Sequence, residues 1–252
     1  MYDLQKPNMW KRISAAMCDL IAIGIVIVGL ALFLSATLGY DGHAAHLEDI
    51  SESYETAYGV DFDILESDYE ALTDAEKETY REAMTAFSKD ADANFTYNVL
   101  VNLTFVIITL SILVAFILLE FVVPLLFGNG QTLGKKVFGV AVMREDGVKI
   151  SPLILFVRSI LGKYTVETMV PVLVVLMIYW DMLGFFGTVL VLGLTLFQII
   201  LLLSTSKRQV IHDKLSHTVT VDYASQMIFD SPEAMIEYKK RIHAEKVDAE
   251  EN

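Results

Sequence analysis

The apolar positions of this chain are gathered in long uninterrupted runs, unlike the short alternating patterns of a soluble fold. A helix that crosses a membrane needs about 20 mostly apolar residues, and Ile13–Leu38 and Asn98–Phe127 exceed that length with a single charged residue each. The stretch 165–204 contains two charged residues, and at a rise of about 1.5 Å per residue it is long enough for two spans. The pattern predicts four membrane-crossing helices, the last two joined by a turn at Trp180–Gly184.

The charge of the chain is concentrated in one segment. Of the 252 residues, 54% are hydrophobic and 20% charged, and the mean hydropathy is +0.48, whereas a soluble domain is about 45–50% apolar and about 25% charged. The net charge is nevertheless −13. The window 40–97 holds sixteen of the 32 acidic residues and three of the 19 basic ones, a surplus of thirteen acids that equals the net charge. The sequence therefore predicts a neutral membrane body with one acidic segment.

Several classes of protein are excluded by these values. A simple soluble enzyme or a disordered chain would not have this hydropathy, and a nucleic-acid-binding protein would need a basic balance. The single cysteine, Cys18, excludes a disulfide framework and a cysteine-based zinc site. His212-Asp213 is not accompanied by an identifiable nucleophile. We therefore expect no enzymatic activity, no bound metal and no cofactor.

The basic residues predict how the chain crosses the membrane. They cluster before the first span, between the second and third, and after the fourth, and such clusters mark the cytoplasmic side. With four spans, both termini are predicted to be cytoplasmic in a multi-pass protein of the cell membrane, and residues 40–97 to be extracytoplasmic. The basic residues are Lys6, Lys11 and Arg12; Lys135, Lys136, Arg144, Lys149, Arg158 and Lys163; and Lys207, Arg208 and Lys214.

The acidic segment is predicted to be helical. Thr73 and Glu76 have the spacing of a capping box, and apolar stripes at helical spacing indicate one helix after it and a shorter one before it. Asp61-Phe62-Asp63 resembles the start of a calcium loop, but such a loop needs Gly and Glu where this chain has Glu66 and Leu72. We favour a solvated acidic face over a cation- or ligand-binding surface. The two stripes are Tyr80, Ala83, Met84 and Phe87, and Leu65, Tyr69 and Leu72.

The basic loop after the second span is predicted to contain a small sheet. Apolar-rich runs flank Asp146-Gly147, which supplies the positive φ angles of a tight turn, so 136–150 is predicted to form a β-hairpin. The run 218–223 is a candidate third strand. Ser151 and Pro152 have the sequence of a helix start, and we expect a helix over Leu153–Lys163 that lies along the inner membrane surface.

The glycine-rich stretch 128–136 invites comparison with a phosphate-binding loop. Such a loop needs four residues between its glycines, followed by Lys and then Ser or Thr. Here the spacings are three or five, and Lys135 is followed by Lys136. We therefore reject nucleotide binding and expect a flexible basic turn at the lipid surface.

Several of these segments together resemble the RDD family of membrane proteins. Residues 11–19 look like the family's opening Arg-to-Asp segment, and 131–136, with the sequence QTLGKK, look like its GQTLGK segment. The hairpin and the following helix with Arg158 look like its middle. Residues 208–219 look like its closing H-D-x-x-x-x-T-V segment.

The resemblance covers about 11–38 and 98–223, an RDD domain of about 11–223. The acidic segment departs from the family pattern, because most members have a much shorter outer loop. The family is mostly of unknown function, but some members are described as sodium/proton antiporters, so the resemblance implies transport. The one Arg and two Asp of its name map to Arg12, Asp19 and Asp213.

Depth along the spans adds an argument that does not depend on the family. At about 1.5 Å per residue, Asp19 lies about 10 Å, Glu120 about 12 Å, Gln198 about 9 Å and Glu167 about 6 Å from the inner ends of their helices. One polar side chain per helix is thus predicted at a similar depth. Pro124 has no N–H, so it also leaves the carbonyl of Glu120 free. Acids inside a membrane usually face the bundle interior and find partners there.

Two interpretations of this polar layer stay open. In the first, Asp19 and Glu120 form a cation or proton site, which predicts a small cation/proton transporter or ion-coupled carrier. In the second, buried ion pairs fix the helices, for example Asp19 with Arg158 and Asp213 with Arg12. That interpretation predicts a non-catalytic membrane scaffold or accessory protein, which binds partners through the acidic segment 40–97 and the cytoplasmic sheet.

The sequence thus predicts an all-α integral membrane protein, a four-helix transmembrane bundle with a small cytoplasmic β-hairpin or three-stranded element and an acidic helical extracytoplasmic insert. The expected partners are the lipid bilayer, a monovalent cation, a proton and further copies of the chain in a homo-oligomer, with no nucleic acid. The predicted segments are 1–11, the first span 12–38, the acidic insert 39–97, the second span 98–127, the basic loop with hairpin and surface helix 128–164, the third span 165–181, the fourth span 183–204, and the strand and carboxyl-terminal helix of 205–252.

Overall fold

The computed structural model describes residues 4–179, 181–204 and 206–250, with side chains described as far as Glu245. Two compact units make it up, one of residues 1–26 with 112–252 and one of 27–111. The predicted turn residue Trp180 lies outside the described residues. In chain order the elements are α1 (Met9–Leu38), α2 (Tyr40–Tyr58), α3 (Glu66–Ala71), α4 (Asp74–Lys89), α5 (Ala91–Phe116), the π-helix π1 (Ile117–Val122), α6 (Val123–Phe127), α7 (Leu133–Val137), β1 (Val140–Arg144), α8 (Pro152–Phe156), the π-helix π2 (Val157–Met169), α9 (Val170–Tyr179), α10 (Gly184–Ser204), α11 (Ile211–Leu215), β2 (Thr218–Asp222) and α12 (Pro232–Glu250).

Four helical runs of the described chain are long and apolar enough to cross a membrane. They are Met9–Leu38, Ala91–Phe127, Pro152–Tyr179 and Gly184–Ser204. The prediction of four candidate membrane-spanning helices in a mostly helical chain is therefore confirmed. Each run contains a predominantly apolar stretch whose length suits the hydrocarbon core of a bilayer.

Two of these runs contain π-helical turns, which the sequence pattern did not predict. In π1 and π2 the backbone N–H bonds to the carbonyl five residues earlier, as Val123 does to Leu118 and Val170 does to Thr165. Pro124, the second residue of α6, follows π1 after Val123 and has no N–H to donate. Such turns are rare, and they occur most often at functional sites.

The expected surface helix over Leu153–Lys163 is not a separate element, and this prediction needs correction. Ser151 caps its start by accepting a hydrogen bond from Ile154 N at 3.3 Å. The chain then stays helical from Pro152 to Tyr179, because π2 carries the helix through the polar residues without a break. The third run is therefore longer than the predicted span 165–181.

The small sheet has two strands, β1 and β2, paired antiparallel with Val142 opposite Thr220. The predicted hairpin is only partly present. Arg144 to Gly147 form the turn, with Gly147 N donating to Arg144 O at 3.0 Å, but the returning chain forms no strand and meets β1 in one isolated bridge, Met143 to Lys149. The predicted third strand is thus the main partner of β1. β2 pairs along one edge of β1 over five residues, and on the other edge Val142 N donates to Asn129 O at 3.3 Å, so the returning arm of the hairpin has no continuous ladder to complete.

The two faces of the sheet pack against different parts of the unit of 1–26 and 112–252. One face forms a buried cluster with Leu4 and Ile228 packed against it. On the other face, Val142 packs with Leu155 of α8 and brings in Phe121 of π1. The sheet therefore fixes the beginning of the third run next to the end of the second. The cluster on the first face is Ala141, Met143, Val219 and Val221.

The unit of residues 27–111 carries the acidic segment in three helices, α2, α3 and α4. Thr73 caps α4 with the predicted capping box, since its hydroxyl accepts from Glu76 N and Glu76 Oε2 accepts from Thr73 N at 2.8 Å. The helix α2 was not predicted, and it has no fully buried residue. Aromatic contacts hold this unit together, namely Tyr54–Phe87, Phe62–Tyr80, Phe62–Phe87 and Tyr69–Tyr80, with ring centroids 5.1–5.9 Å apart.

Candidate functional site

Asp19 of α1 is held by the N-cap and the first turn of α7. Its Oδ1 accepts a hydrogen bond from Gly134 N at 2.7 Å, and its Oδ2 accepts one from the Thr132 hydroxyl. Thr132 is also the N-cap of α7, where its hydroxyl accepts from Lys135 N at 3.4 Å and from Lys135 Nζ at 3.2 Å. Asp19 is buried, so these donors replace the water that a buried carboxylate loses. Its partner is therefore not Arg158, as one of the two interpretations expected.

Gly134 makes this contact sterically feasible. A Cβ at this position would lie 2.2 Å from the carbonyl oxygen of Ala15, closer than any real contact. Only glycine lets the backbone of α7 approach α1 closely enough to bond Asp19. The expectation of a flexible basic turn over 128–136 is consequently wrong, because its residues Gln131 and Thr132 are buried against the rest of the unit.

Glu120 lies in π1 and is also buried. Its Oε1 accepts a hydrogen bond from Lys163 of π2, while its Oε2 has no hydrogen-bond partner among the described residues. Its backbone carbonyl accepts from the Ser159 hydroxyl at 2.6 Å. The carbonyl is free to do so because Pro124 has no N–H to offer it. The break in the helix is therefore repaired from the neighbouring run.

Arg158 of π2 and Asp213 of α11 form a buried ion pair. Asp213 Oδ1 accepts from Arg158 Nε at 3.2 Å and from Nη2 at 2.8 Å. Arg12 Nη2 lies 3.9 Å from Asp213 Oδ2, and its Nη1 donates to the carbonyl of Arg208 at 2.9 Å. Burial by itself would raise the pKa of Asp213, but the positive charges of Arg158 and Arg12, together with His212, lower it to about 2. Asp213 is therefore ionised at any physiological pH.

Glu167 of π2 holds His212 at two points. Its Oε1 accepts from the backbone N of His212 at 2.8 Å, and its Oε2 lies 2.7 Å from His212 Nδ1. Gly162 permits this approach, since a Cβ there would lie 2.7 Å from the Cβ of His212. One carboxylate thus satisfies an unpaired N–H in the first turn of α11 and orients the ring.

The π-helical geometry explains how Arg158 and Glu167 reach the same short helix. They are nine residues apart, about two and a half turns of an ordinary α-helix, which would put them on opposite faces. The wider turns of π2, with bonds from each N–H to the fifth carbonyl back, bring both side chains onto the face that packs against α11. The charged site therefore depends on π2.

A cavity of about 240 Å³ lies beside these ion pairs. Three of the four residues of the predicted polar layer line it, namely Asp19, Glu167 and Gln198. Glu120 does not line it, although its partner Lys163 does. The other charged residues of the lining are Arg12, Lys135, Arg158, His212 and Asp213.

A comparison with known protein families decides where this chain belongs. A family model described as the RDD family matches residues 6–217. The chain belongs to the RDD family. Among curated proteins and solved structures, none gives a significant match. The match includes all the charged residues of the cavity and ends at His217, short of the expected boundary at 223.

The segments that resemble RDD motifs acquire physical roles in this RDD chain. The stretch 131–136 provides the backbone N–H and the hydroxyl that bind Asp19, and Gln131 fixes the loop by donating to Val140 O at 2.8 Å. The closing motif provides Asp213 to Arg158. The three residues of the family's name, Arg12, Asp19 and Asp213, all line the one cavity.

Lys135 is the residue of this RDD site whose titration is most altered among the groups outside the spans. Burial lowers the pKa of its ammonium group to about 8, in spite of the attraction of Glu120 and Asp19, and the positive charges of Arg158 and Lys163 contribute to the lowering. At neutral pH it is therefore charged, and it loses its proton at mildly alkaline pH.

Sequence reasoning missed four members of the RDD site: Thr132, Gly134, Lys163 and His212. Lys163 had served only to predict membrane orientation, and Thr132 and Gly134 had been placed in a flexible turn. Thr132 stands at the N-cap position before Leu-Gly-Lys, and this pattern could have indicated a short ordered helix in place of a flexible turn. Among the described residues, no group of three or more His, Cys, Asp and Glu could hold a metal ion.

Proposed function

We propose that this chain is a small ion-coupled carrier of the cell membrane, which exchanges a monovalent cation for a proton at the cavity beside Asp19 and Asp213. One observation carries the proposal. Asp213 Oδ2 is buried in the wall of the cavity and has no hydrogen-bond partner among the described residues, only the ion-pair contact with Arg12 at 3.9 Å. A buried, ionised carboxylate oxygen without a donor is a natural ligand for a cation.

The composition of the cavity supports exchange over permanent binding of one ion. Three carboxylates and four lysine or arginine side chains line it, so no cation enters without competing with a fixed positive charge. An entering ion or proton therefore has to displace an existing ion pair, which couples occupancy to side-chain rearrangement. The carboxylates are Asp19, Glu167 and Asp213, and the cations are Arg12, Lys135, Arg158 and Lys163.

Purified protein in liposomes with an internal pH dye tests this proposal. We expect a sodium, lithium or potassium gradient to change the internal pH. Asp19→Asn keeps one oxygen for Gly134 N but removes the charge and the second acceptor, which Thr132 uses, so it should reduce the exchange rate at least tenfold. Asp63→Asn, in the exposed acidic segment, is the matched control and should exchange normally.

A membrane scaffold is the second candidate, and the near-complete pairing of the cluster favours it. Arg158, Lys163 and Glu167 each have a protein partner at hydrogen-bond distance, as expected for charges that fix helices. In that case no gradient changes the internal pH, and Asp19→Asn alters thermal stability alone. Exchange that depends on Asp19 in a monomeric preparation would exclude the scaffold.

The proposed topology has cytoplasmic termini and an extracytoplasmic acidic segment, because the basic residues flank the spans on one side. Replacing Cys18, the single cysteine, with serine gives a background for labelling. A cysteine at Ala45, exposed in α2, should react with an impermeant maleimide in intact cells. A cysteine at Ala224, exposed after β2, should react only after permeabilisation, and the reverse pattern would invert the topology.

A further inference from the structure

The groups around the His212 ring leave it a single protonation state. Arg158 Nη2 lies 3.0 Å from His212 Nε2, and a guanidinium group has donors only and is always charged in proteins. Nε2 must therefore accept this hydrogen bond and carry no proton. The ring proton is then on Nδ1, which donates it to Glu167 Oε2 at 2.7 Å. His212 is neutral in this arrangement, as the Nδ1–H tautomer.

The ring has little freedom to leave this arrangement. The backbone N of His212 donates to the second oxygen of Glu167 at 2.8 Å, so the carboxylate holds both the main chain and the ring. The close approach at Gly162 leaves no room for a side chain between π2 and α11. The contacts of Nε2 therefore decide what His212 does when it gains a proton.

A second proton on His212 cannot coexist with the Arg158 contact. Nε2 and Nη2 would then both be donors, and two positive charges would face each other. An acceptor lies within reach, since Asp213 Oδ1 is 3.5 Å from Nε2. That same oxygen already accepts the two hydrogen bonds that Arg158 donates to Asp213. Protonated His212 and Arg158 thus compete for one carboxylate oxygen.

The charged residues around His212 lie on four elements. π2 contributes Arg158 and Glu167, and α11 itself contributes Asp213, with Lys214 exposed beside it. From α1, Arg12 pairs with Asp213. On β2 the charged residue is Asp222, which pairs with Lys11 at 2.7 Å, and Lys163 of π2 lines the same cavity.

We infer that His212 is the proton-responsive positioning residue of the cavity. When it takes up a proton at Nε2, it exchanges its contact with Arg158 for one with Asp213, and Arg158 is released at the cavity that all three residues line. Uptake of one proton thereby moves the guanidinium group of Arg158 relative to the Asp213 carboxylate, whose Oδ2 has no hydrogen-bond partner among the described residues. The coupling to transport rests on the proposed function, but the tautomer and the exchange of partners do not.

Nitrogen-15 NMR of the full-length protein in lipid nanodiscs tests the inference without any transport assay. Replacing the other four histidines with glutamine leaves His212 as the sole histidine. The guanidinium signal that is absent from the spectrum of Arg158→Lys is assigned to Arg158. The four replaced residues are His43, His46, His217 and His243.

We expect the Nδ1–H tautomer of His212 at alkaline pH. On acidification, the protonation of Nε2 and a shift of the Arg158 guanidinium signals should occur in one step. The inference is overturned if the Nε2–H tautomer is found, if Arg158 does not respond, or if His212 stays neutral down to the pH at which the protein unfolds.

A flux measurement in liposomes supplies the transport arm. His212→Gln keeps an oxygen for Arg158 but cannot gain a proton, so the pH dependence of sodium-driven exchange should flatten relative to His243→Gln, a control on α12. If wild-type protein shows no exchange, the proposed function fails while NMR still decides the role of His212. If exchange occurs and His212→Gln keeps the wild-type pH profile, His212 does not control transport and the inference is overturned.

Discussion

At the scale of single residues, each buried charge of this protein is matched by a specific donor or counter-charge. Asp19 receives a backbone N–H and a hydroxyl, whereas Glu120 receives an ammonium group. The distinction has a consequence, because neutral donors hold a carboxylate in place without cancelling its charge. Asp19 is held mainly by these neutral donors, and the Lys135 ammonium group, whose Nζ lies 4.0 Å from Asp19 Oδ2, is the counter-charge with which an entering cation has to compete.

The Thr132 hydroxyl should contribute measurably to stability. Thr132→Val keeps the shape of the side chain but removes the donor to Asp19 and the N-cap of α7. A buried carboxylate oxygen left without its donor costs about 1–3 kcal/mol, so we expect a lower melting temperature in detergent. Thr195→Val is the control, since among the described residues its hydroxyl bonds only to Val191 O of its own helix. Equal melting temperatures for the two variants would contradict the assigned role of Thr132.

Lys135 should lose its proton near pH 8, where its pKa lies because of burial. An ordinary lysine has a pKa of about 10.4, so between pH 8 and that value the unfolded chain binds more protons than the folded one. The contribution of Lys135 to stability therefore rises with pH across this window. Mass spectrometry of amine acylation against pH should give a midpoint of about 8 for Lys135, with exposed Lys214 as reference. Coincident midpoints for the two lysines would rule this out.

At the scale of elements, π2 is what assembles the charged site. It places Arg158 and Glu167 on one face, and it packs that face against α11 through Gly162. A regular α-helix with the same sequence would separate the two side chains by half a turn. Packing against α11 therefore accounts for the π-helix, whereas local sequence preference does not.

Close packing at Gly162 should not tolerate a side chain. Gly162→Ala places a Cβ 2.7 Å from the Cβ of His212 and 2.8 Å from its Cα, and such overpacking costs about 1–3 kcal/mol. We expect a lower melting temperature and weaker exchange. Gly193→Ala, in α10, has no atom within 4 Å of the new Cβ and should be neutral or slightly stabilising. A Gly162→Ala protein as stable as Gly193→Ala would show that π2 and α11 separate easily.

The elements also show why some features follow from sequence and others do not. The four spans follow from apolar runs, because hydropathy and length are local properties. The capping box at Thr73 is equally local. The docking of Thr132 on Asp19 joins residues more than a hundred positions apart. The π turns depend on a shift of the backbone hydrogen bonds by one residue. Periodicity at 3.6 residues per turn places Arg158 and Glu167 on opposite faces, so it predicts the residues but not their assembly.

At the scale of the whole molecule, the net charge and the functional charges belong to different units. The surplus of acids lies within 40–97, which falls entirely in the unit of 27–111. All the ion pairs beside the cavity join residues of the other unit. The bulk charge of −13 therefore says nothing about the balance at the cavity, where the ion pairs are buried and poorly screened.

This separation predicts that the acidic face can be neutralised without changing exchange. We choose six exposed carboxylates whose side chains make no hydrogen bond that holds the fold, and convert them to amides. If the face is only solvated, the half-saturating sodium concentration in liposomes should match that of wild type at every ionic strength. The residues are Glu48, Asp49, Glu52, Glu66, Glu70 and Glu82.

Varying the salt concentration distinguishes a solvated acidic face from one that concentrates cations. An acidic surface that concentrates cations acts over a screening length of about 30 Å at 0.01 M salt but only about 3 Å at 1 M. A face with that role would therefore raise the half-saturating concentration of the neutralised variant in dilute salt and leave it unchanged at high salt. A control in which the same six positions exchange Glu for Asp, and Asp for Glu, keeps the charge and should follow wild type. Divergence of the amide variant in dilute salt alone would assign the acidic face a part in cation capture, since loss of fold would persist at high salt as well.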